Sequence, residues 1–406
     1  MRSIVKIGVP LVAASLALSA CGSRSDNGGN GSSGGTKTAT IGVIAPLTGD
    51  LSPLGLGIQH SVELAVKQAN AKKTISGWTL KVDPEDDQAT PATGQQAATK
   101  LASDASVVGV VGTLNSSVAQ TVIPVLDKSN IVQVSPANTN PSLTQGANFA
   151  TAPARPNKNY FRVCTTDSVQ GPFAAQYMYN TAKFTKVATV SDQKTYGAGL
   201  VAAFTAEFKK LGGTIVTAQT VNPDDKKFPG VISKVAQAKP QAVYYGGEFP
   251  QAGPLSNQMK AAGLNVPLMG GDGIFDPNYI KLAGSKSDGD LATSVGAPVE
   301  SLDSAKQFVS DYQAAGFKDA YGAYGAYAFD AANAIINALK TSLAGKDKVD
   351  DSVRQATIQA MSSVSFAGAT GDVAFDQYGD AKAKVLTVYK VSSGAWKPEK
   401  TGSLEG

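Results

Sequence analysis

Short runs that are almost wholly apolar recur along this chain, and each is followed by a stretch with helical spacing. Residues 40–47, 107–111, 131–134, 187–190 and 242–245 are such runs. A strand with one face in water alternates apolar and polar residues. A continuous run needs cover on both faces, which a parallel sheet with helices on either side supplies. The intervening stretches 53–71, 91–104, 116–129, 170–183, 196–211, 228–239 and 251–264 carry helical spacing. In 196–211 the stripe is Leu200, Val201, Phe204, Phe208 and Leu211. A first run of alternation ends near 134, and a second restarts at Tyr160-Phe-Arg-Val163. Two runs joined by an irregular stretch predict an α/β fold of two doubly wound lobes with parallel sheets. Beyond these, 304–315, 324–343 and 353–363 read as helices. Strands at 373–375 and 385–391 read as a hairpin or meander turned at Gln377-Tyr-Gly-Asp380.

The N-terminus carries an export signal. Arg2 and Lys6 precede an apolar run at 7–18, too short to span a bilayer. The run ends in Leu18-Ser-Ala-Cys21, which resembles a bacterial lipobox and predicts Cys21 as a lipidated N-terminus after removal of a signal peptide over 1–20. An ordinary secretory signal with a chance cysteine is the plainer reading. The Gly/Ser-rich linker over 21–38 cannot bury apolar surface and predicts a tether with a span of about 20–25 Å. The protein is therefore expected to be exported and lipid-anchored to the outer face of the bacterial cytoplasmic membrane, meeting the membrane through that anchor only. With Cys21 lipidated, Cys164 is left without a disulfide partner.

Composition narrows function by exclusion. Lys+Arg 36 against Asp+Glu 32 is too balanced for a nucleic-acid partner. One His and two Cys cannot build a zinc cluster, and no cofactor is expected. A Ser-His-Asp triad would need His60, which sits in a predicted helix with no nucleophile near it in sequence, so a packing or surface role is expected. Phosphate-loop and nucleophile-elbow patterns are absent. Ser191-Asp-Gln-Lys194 spells SxxK, but the SDN that accompanies it in penicillin-binding enzymes is missing. Glu85-Asp86-Asp87 reads as a solvated loop face rather than a metal site.

The ends of the strands are more informative. Parallel sheets bind ligands beyond their carboxyl ends, where helix N-termini expose free N–H groups. There the chain places Gly112-Thr-Leu-Asn-Ser-Ser117, Ser135-Pro-Ala-Asn-Thr-Asn-Pro141, Ser191 to Tyr196, Gly246-Gly-Glu248 and Gly270-Gly-Asp272-Gly273. Ser116 and Ser117 can offer hydroxyls and N–H groups to a carboxylate, while Asn115 or Ser116 also reads as a plain N-cap.

The segments IGVIAPLTGDLSPLG, GTLNSSVAQ, VSPANTNPSLT, YFRVCTTDSVQGP, SDQKTYGAGL, VYYGGEFPQAGPL and LMGGDGIFDP occur in that order. Together they resemble the periplasmic binding proteins of the leucine/isoleucine/valine family, the receptors of branched-chain amino-acid ABC importers. The resemblance implies a type I periplasmic binding protein: two Rossmann-like lobes joined by a three-segment hinge. Lobe 1 is expected over 39–158 and 295–368, lobe 2 over 159–294 and 369–400. It implies that Ser116, with Ser117 beside it, holds a ligand carboxylate. Ala137 and Thr139 are the turn residues touching carboxylate and ammonium. Tyr196 and Tyr324 are wall aromatics, and Asp272 pairs with the α-ammonium. Leu54 and Glu248 stand where leucine receptors carry aromatic residues, and the family's disulfide positions fall near Ala89 and at Asn115. The ligand is therefore not assumed to be leucine. The expected protein is a monomeric, non-enzymatic receptor for an amino acid or a related small amine or amide, working with ABC permease subunits. The alternatives are a receptor or sensor for aromatic acids, amides or urea-like solutes, and an exported hydrolase.

Overall fold

The computed structural model describes residues 37–404; the signal segment, Cys21 and the linker up to 36 lie outside the described residues. Lys37 and Thr38, assigned to the linker above, are instead the first residues of a strand.

In chain order, β1 (Lys37–Ala45), α1 (Ser52–Ala71), β2 (Trp78–Asp86), α2 (Pro91–Ser103), β3 (Val107–Gly112), α3 (Ser116–Lys128), β4 (Val132–Ser135), the single turn α4 (Ser142–Gln145) and β5 (Tyr160–Arg162) come first. Their strands form an all-parallel sheet in the order β2-β1-β3-β4-β5. Next come α5 (Asp167–Gln176), which widens into a π-turn over Tyr177–Thr181, β6 (Lys186–Ser191), α6 (Thr195–Lys210) and β7 (Thr214–Thr220). They are followed by α7 (Pro229–Gln237), β8 (Ala242–Gly246), α8 (Phe249–Ala261), β9 (Leu268–Gly270), α9 (Pro277–Ala283) and β10 (Leu291–Val295). The last elements are α10 (Lys306–Ala315), α11 (Gly325–Ser342), α12 (Asp351–Met361), β11 (Ser365–Gly368), β12 (Gly371–Ala374), β13 (Leu386–Ser392) and β14 (Ala395–Gly402). The second sheet runs β14-β13-β10-β9-β8-β6-β7. It is parallel from β7 to β10, and β13 and β14 extend it antiparallel.

Burial explains this layering. Every residue of β3, β8 and β10 is buried, as strands covered on both faces require. Helices α11 and α12 pack back on β3 and β4, whereas α5 packs on α6, β10 and β13. The chain therefore passes between the two sheets three times: from β5 to α5, from β10 to α10, and from β12 to β13.

Two expectations are corrected. Tyr160–Arg162 does not open the second run; it pairs with β4 at the edge of the first sheet, so the first passage lies after 162 rather than at 159. Strands β12 and β13 do not form a hairpin. Only a Phe375–Ala381 bridge joins the segments flanking the turn, β12 pairs with β11, and β13 pairs with β10 and β14. The cause is Arg162, which is fully buried and needs a counter-charge. Asp380 supplies it at 2.7 Å, and Gly379 O accepts from Arg162 N at 3.0 Å. The 376–380 turn is thus drawn onto β5 instead of closing a ladder.

Removing one partner of a buried pair leaves an unmatched charge and typically costs about 3–5 kcal/mol. Asp380→Ala is expected to lose stability on that scale in denaturant unfolding. A loss under about 1 kcal/mol would contradict the role assigned to the pair.

Candidate functional site

The carboxyl ends of β1, β3 and β4 face those of β6, β8 and β9. Gly112 has φ +139°, and a Cβ there would strike the Ile44 carbonyl, so only glycine turns the chain from β3 toward Leu114, Asn115 and Ser116. Gly247, at φ +148°, does the same between β8 and Glu248.

Asp272 follows β9 and is 2% exposed. Its Oδ1 accepts from Gln170 Nε2 at 2.9 Å and Tyr196 Oη at 2.8 Å, and its Oδ2 accepts from Tyr324 Oη at 2.9 Å. Two of the donors are themselves oriented. Gln170 Oε1 accepts from Asp272 N at 3.1 Å and from Thr293 Oγ1 at 2.9 Å, and Tyr196 Oη accepts from Gly273 N at 3.1 Å. A carboxylate offers roughly four acceptor positions. Three are filled, and one on Oδ2 remains.

Opposite lies the start of α3. Asn115 occupies the N-cap position but makes no side-chain cap bond. Its Nδ2 donates instead to Glu248 Oε1 at 2.7 Å. Glu248 likewise precedes α8 without capping it, and its Oε2 pairs with Lys194 Nζ at 3.0 Å. Ser116 is 1% exposed, and its hydroxyl has no partner.

Seven residues singled out from the sequence line one cavity: Leu54, Ser116, Ala137, Tyr196, Glu248, Asp272 and Tyr324. Two others do not. Ser117 is only half-buried and lies off the cavity wall, because the helical turn after Ser116 rotates it away. Thr139 is buried behind the wall, where its carbonyl accepts from Asp167 N at 2.8 Å. Sequence reasoning missed Leu114, Asn115 and Gly273 on the wall, and Gln170 and Lys194 behind it. Asn115 carried a signal, since an N-cap residue with a carboxamide has a donor to spend elsewhere.

The cavity is about 20 Å³, room for little more than a water. The two sides touch directly through Asn115–Glu248 and Tyr324–Asp272. They also meet through Asn140 Nδ2 on Thr195 O (2.8 Å), Thr195 Oγ1 on Gln120 (3.0 Å) and Lys226 on Asp50 (3.0 Å). A solute of several heavy atoms reaches Asp272 only if these contacts part.

Buried acids crowd the site. Burial raises the pKa of Asp272, against the hydrogen bonds from Gln170, Tyr196 and Tyr324. Burial, then the Asp272 charge, pushes Asp167 up to about 7. Burial, then the Glu248 charge, does the same to Asp192. Away from the site, the 85–87 run is not a solvated face: Asp87 is fully buried and pushed up to about 7, and Asp86 caps Leu47 N at 2.8 Å. His60 stacks on Phe317 at 4.5 Å.

The sequence profile described as "Periplasmic binding protein" matches residues 38–395. The Leu/Ile/Val-binding protein homolog 1 of Brucella melitensis is 32% identical over 356 residues, 87% of this chain and 91% of that protein. The crystal structure of the leucine binding protein LivK from Thermotoga maritima superposes with a TM-score of 0.78 at 25% identity, covering 89% of this chain and 98% of that one. The branched-chain amino acid transporter substrate binding protein LivJ from Streptococcus pneumoniae, in complex with isoleucine, gives a TM-score of 0.78 at 24% identity, covering 90% and 99%.

The buried acids make stability pH-dependent. Asp87, Asp167 and Asp192 titrate near 7 and Asp330 near 6 in the folded chain, against an ordinary 3.8. Between about 4 and 7 the folded state holds protons that the unfolded state has released. Stability is therefore full below about 4 for these groups and declines as pH rises to about 7. The melting temperature is expected to be higher at pH 5 than at pH 8, with a smaller difference in Asp192→Asn. Melting that is independent of pH over this range would contradict these proton affinities.

Proposed function

The chain belongs to the periplasmic binding protein family, and from that premise we propose that it is the extracytoplasmic solute receptor of an ABC importer, taking up an amino acid or a related small amine or amide and handing it to the permease. The observation that carries this reading is the pairing of two unfinished groups across one cavity. Asp272 keeps one acceptor position for an ammonium, and the partnerless Ser116 hydroxyl at the start of α3 awaits a carboxylate. The helix N-terminus adds free N–H groups and positive potential on the carboxylate side. A zwitterion satisfies both ends at once. An aromatic acid would leave Asp272 without a cation.

The two sheets with their helices act as lobes, divided where the chain passes between them. Opening parts the cross-cleft bonds, and closure remakes them around the solute. A hinge motion of this kind is driven by contacts made in the closed form only. No chemical step is assigned. The chain's one imidazole, His60, is stacked on Phe317 and lies off the cavity wall, so no histidine base is at hand there. Export and anchoring follow from Lys6 to Cys21, with the lipid on Cys21 and a monomer on the tether.

A thermal-shift panel of amino acids, amides and aromatic acids tests the reading. At 100 times its Kd, a true ligand stabilises by about 2.7 kcal/mol. Asp272→Ala is expected to weaken amino-acid binding roughly 10- to 100-fold, the scale of about 1.5–3 kcal/mol for a hydrogen bond to a charged group. Unchanged affinity in that variant would overturn the assignment. Separately, Cys21→Ala is expected to move the protein from the membrane fraction to the soluble one, and continued membrane retention would refute the anchor.

A further inference from the structure

The Asn115–Glu248 contact, made across the same cavity that Asp272 lines, says more than that a zwitterion fits. A carboxylate can only accept hydrogen bonds. Because Asn115 meets Glu248 at 2.7 Å, it must present its NH₂ there, which leaves its Oδ1 as the free end of the amide. That Oδ1 is buried, with the residue 4% exposed, and has no partner. Both residues line the cavity. This wall therefore offers acceptors: Asn115 Oδ1 and the spare lone pairs of Glu248. The lining of the same cavity also includes the apolar Leu54, Leu114 and Ala137. A buried acceptor left unmatched is destabilising, and an aliphatic side chain has no donor to offer it.

Charge decides what kind of donor fits. Lys194 already pairs with Glu248 at 3.0 Å, so a cationic side chain would compete for an occupied carboxylate. Asp192 is fully buried beside them, with its Oδ1 accepting from Lys194 N at 2.9 Å. Its raised proton affinity keeps the group from adding a full negative charge at neutral pH.

We propose that Asn115 and Glu248 are the specificity residues of this cleft and select an amino acid whose side chain ends in an amide or a hydroxyl over aliphatic and cationic ones. The selection rests on the receptor reading given above. It also assigns Glu248 a role different from a lone anion at the rim: it orients Asn115, and Lys194 neutralises it.

The test is calorimetric titration of the mature chain with serine, threonine, asparagine, glutamine, leucine and lysine. At least one of the first four is expected to bind ten or more times more tightly than leucine and lysine. Asn115→Leu is expected to reduce that ratio at least fivefold. Glu248→Gln, which preserves shape, is expected to reduce it too, because the new amide can donate to Asn115 Oδ1 and close the free acceptor. Leucine or lysine binding as tightly as the best polar amino acid would overturn the selection and leave the receptor standing. A ratio unchanged in both folded variants would also overturn it. A folded protein that binds none of the six would fail the receptor reading itself.

Discussion

A carboxylate buried almost completely from water has to be solvated by the protein, and Asp272 sets that requirement for the whole cleft. Its three donors come from α5, from α6 and from the residue that opens α11. The first two belong with the second sheet and the third packs with the first, so the anion is satisfied only when both halves converge on it. The geometry leaves one acceptor position unfilled. A site that is nearly complete without its ligand can give that last position a high affinity for a cation at little reorganisation cost.

The facing wall depends on a second buried charge. Arg162 Nη1 donates to Asn138 O at 2.6 Å and Asn140 O at 3.0 Å, which fixes the turn that carries Ala137 into the cavity. Its counter-charge, Asp380, lies on the third passage between the sheets and also accepts from Gln145 Nε2 at 2.7 Å. One ion pair thus ties the turn at the site to the third passage between the sheets.

Much of the fold was legible because its strands are buried on both faces. Val107–Gly112 and Ala242–Gly246 announce themselves as apolar runs, and the long stripes of α1, α6 and α11 need no tertiary information. What was not legible has physical reasons. Strand β9 has only three residues, too short for any period to register, and the three residues of β5, though read as a strand, do not show which sheet they join. The polar strand β14 is held by its ladder with β13, not by a buried face. The 376–380 turn looks like a hairpin until the demand of Arg162 for a counter-charge is known. In the site, Ser116, Tyr196 and Asp272 stood out at strand ends, but Asn115, Lys194 and Glu248 act as a unit drawn from three distant segments. No local pattern shows that an N-cap asparagine spends its amide on a carboxylate 133 residues away.

The central claim is that Asp272 reserves its last acceptor position for an α-ammonium. Calorimetric titration of the folded chain with its tightest-binding amino acid, and with the same molecule carrying hydrogen in place of the α-amino group, tests it most directly. The account predicts that the deaminated analogue loses at least a hundredfold in affinity while the amino acid binds with one-to-one stoichiometry. Equal affinity for the two molecules would contradict it.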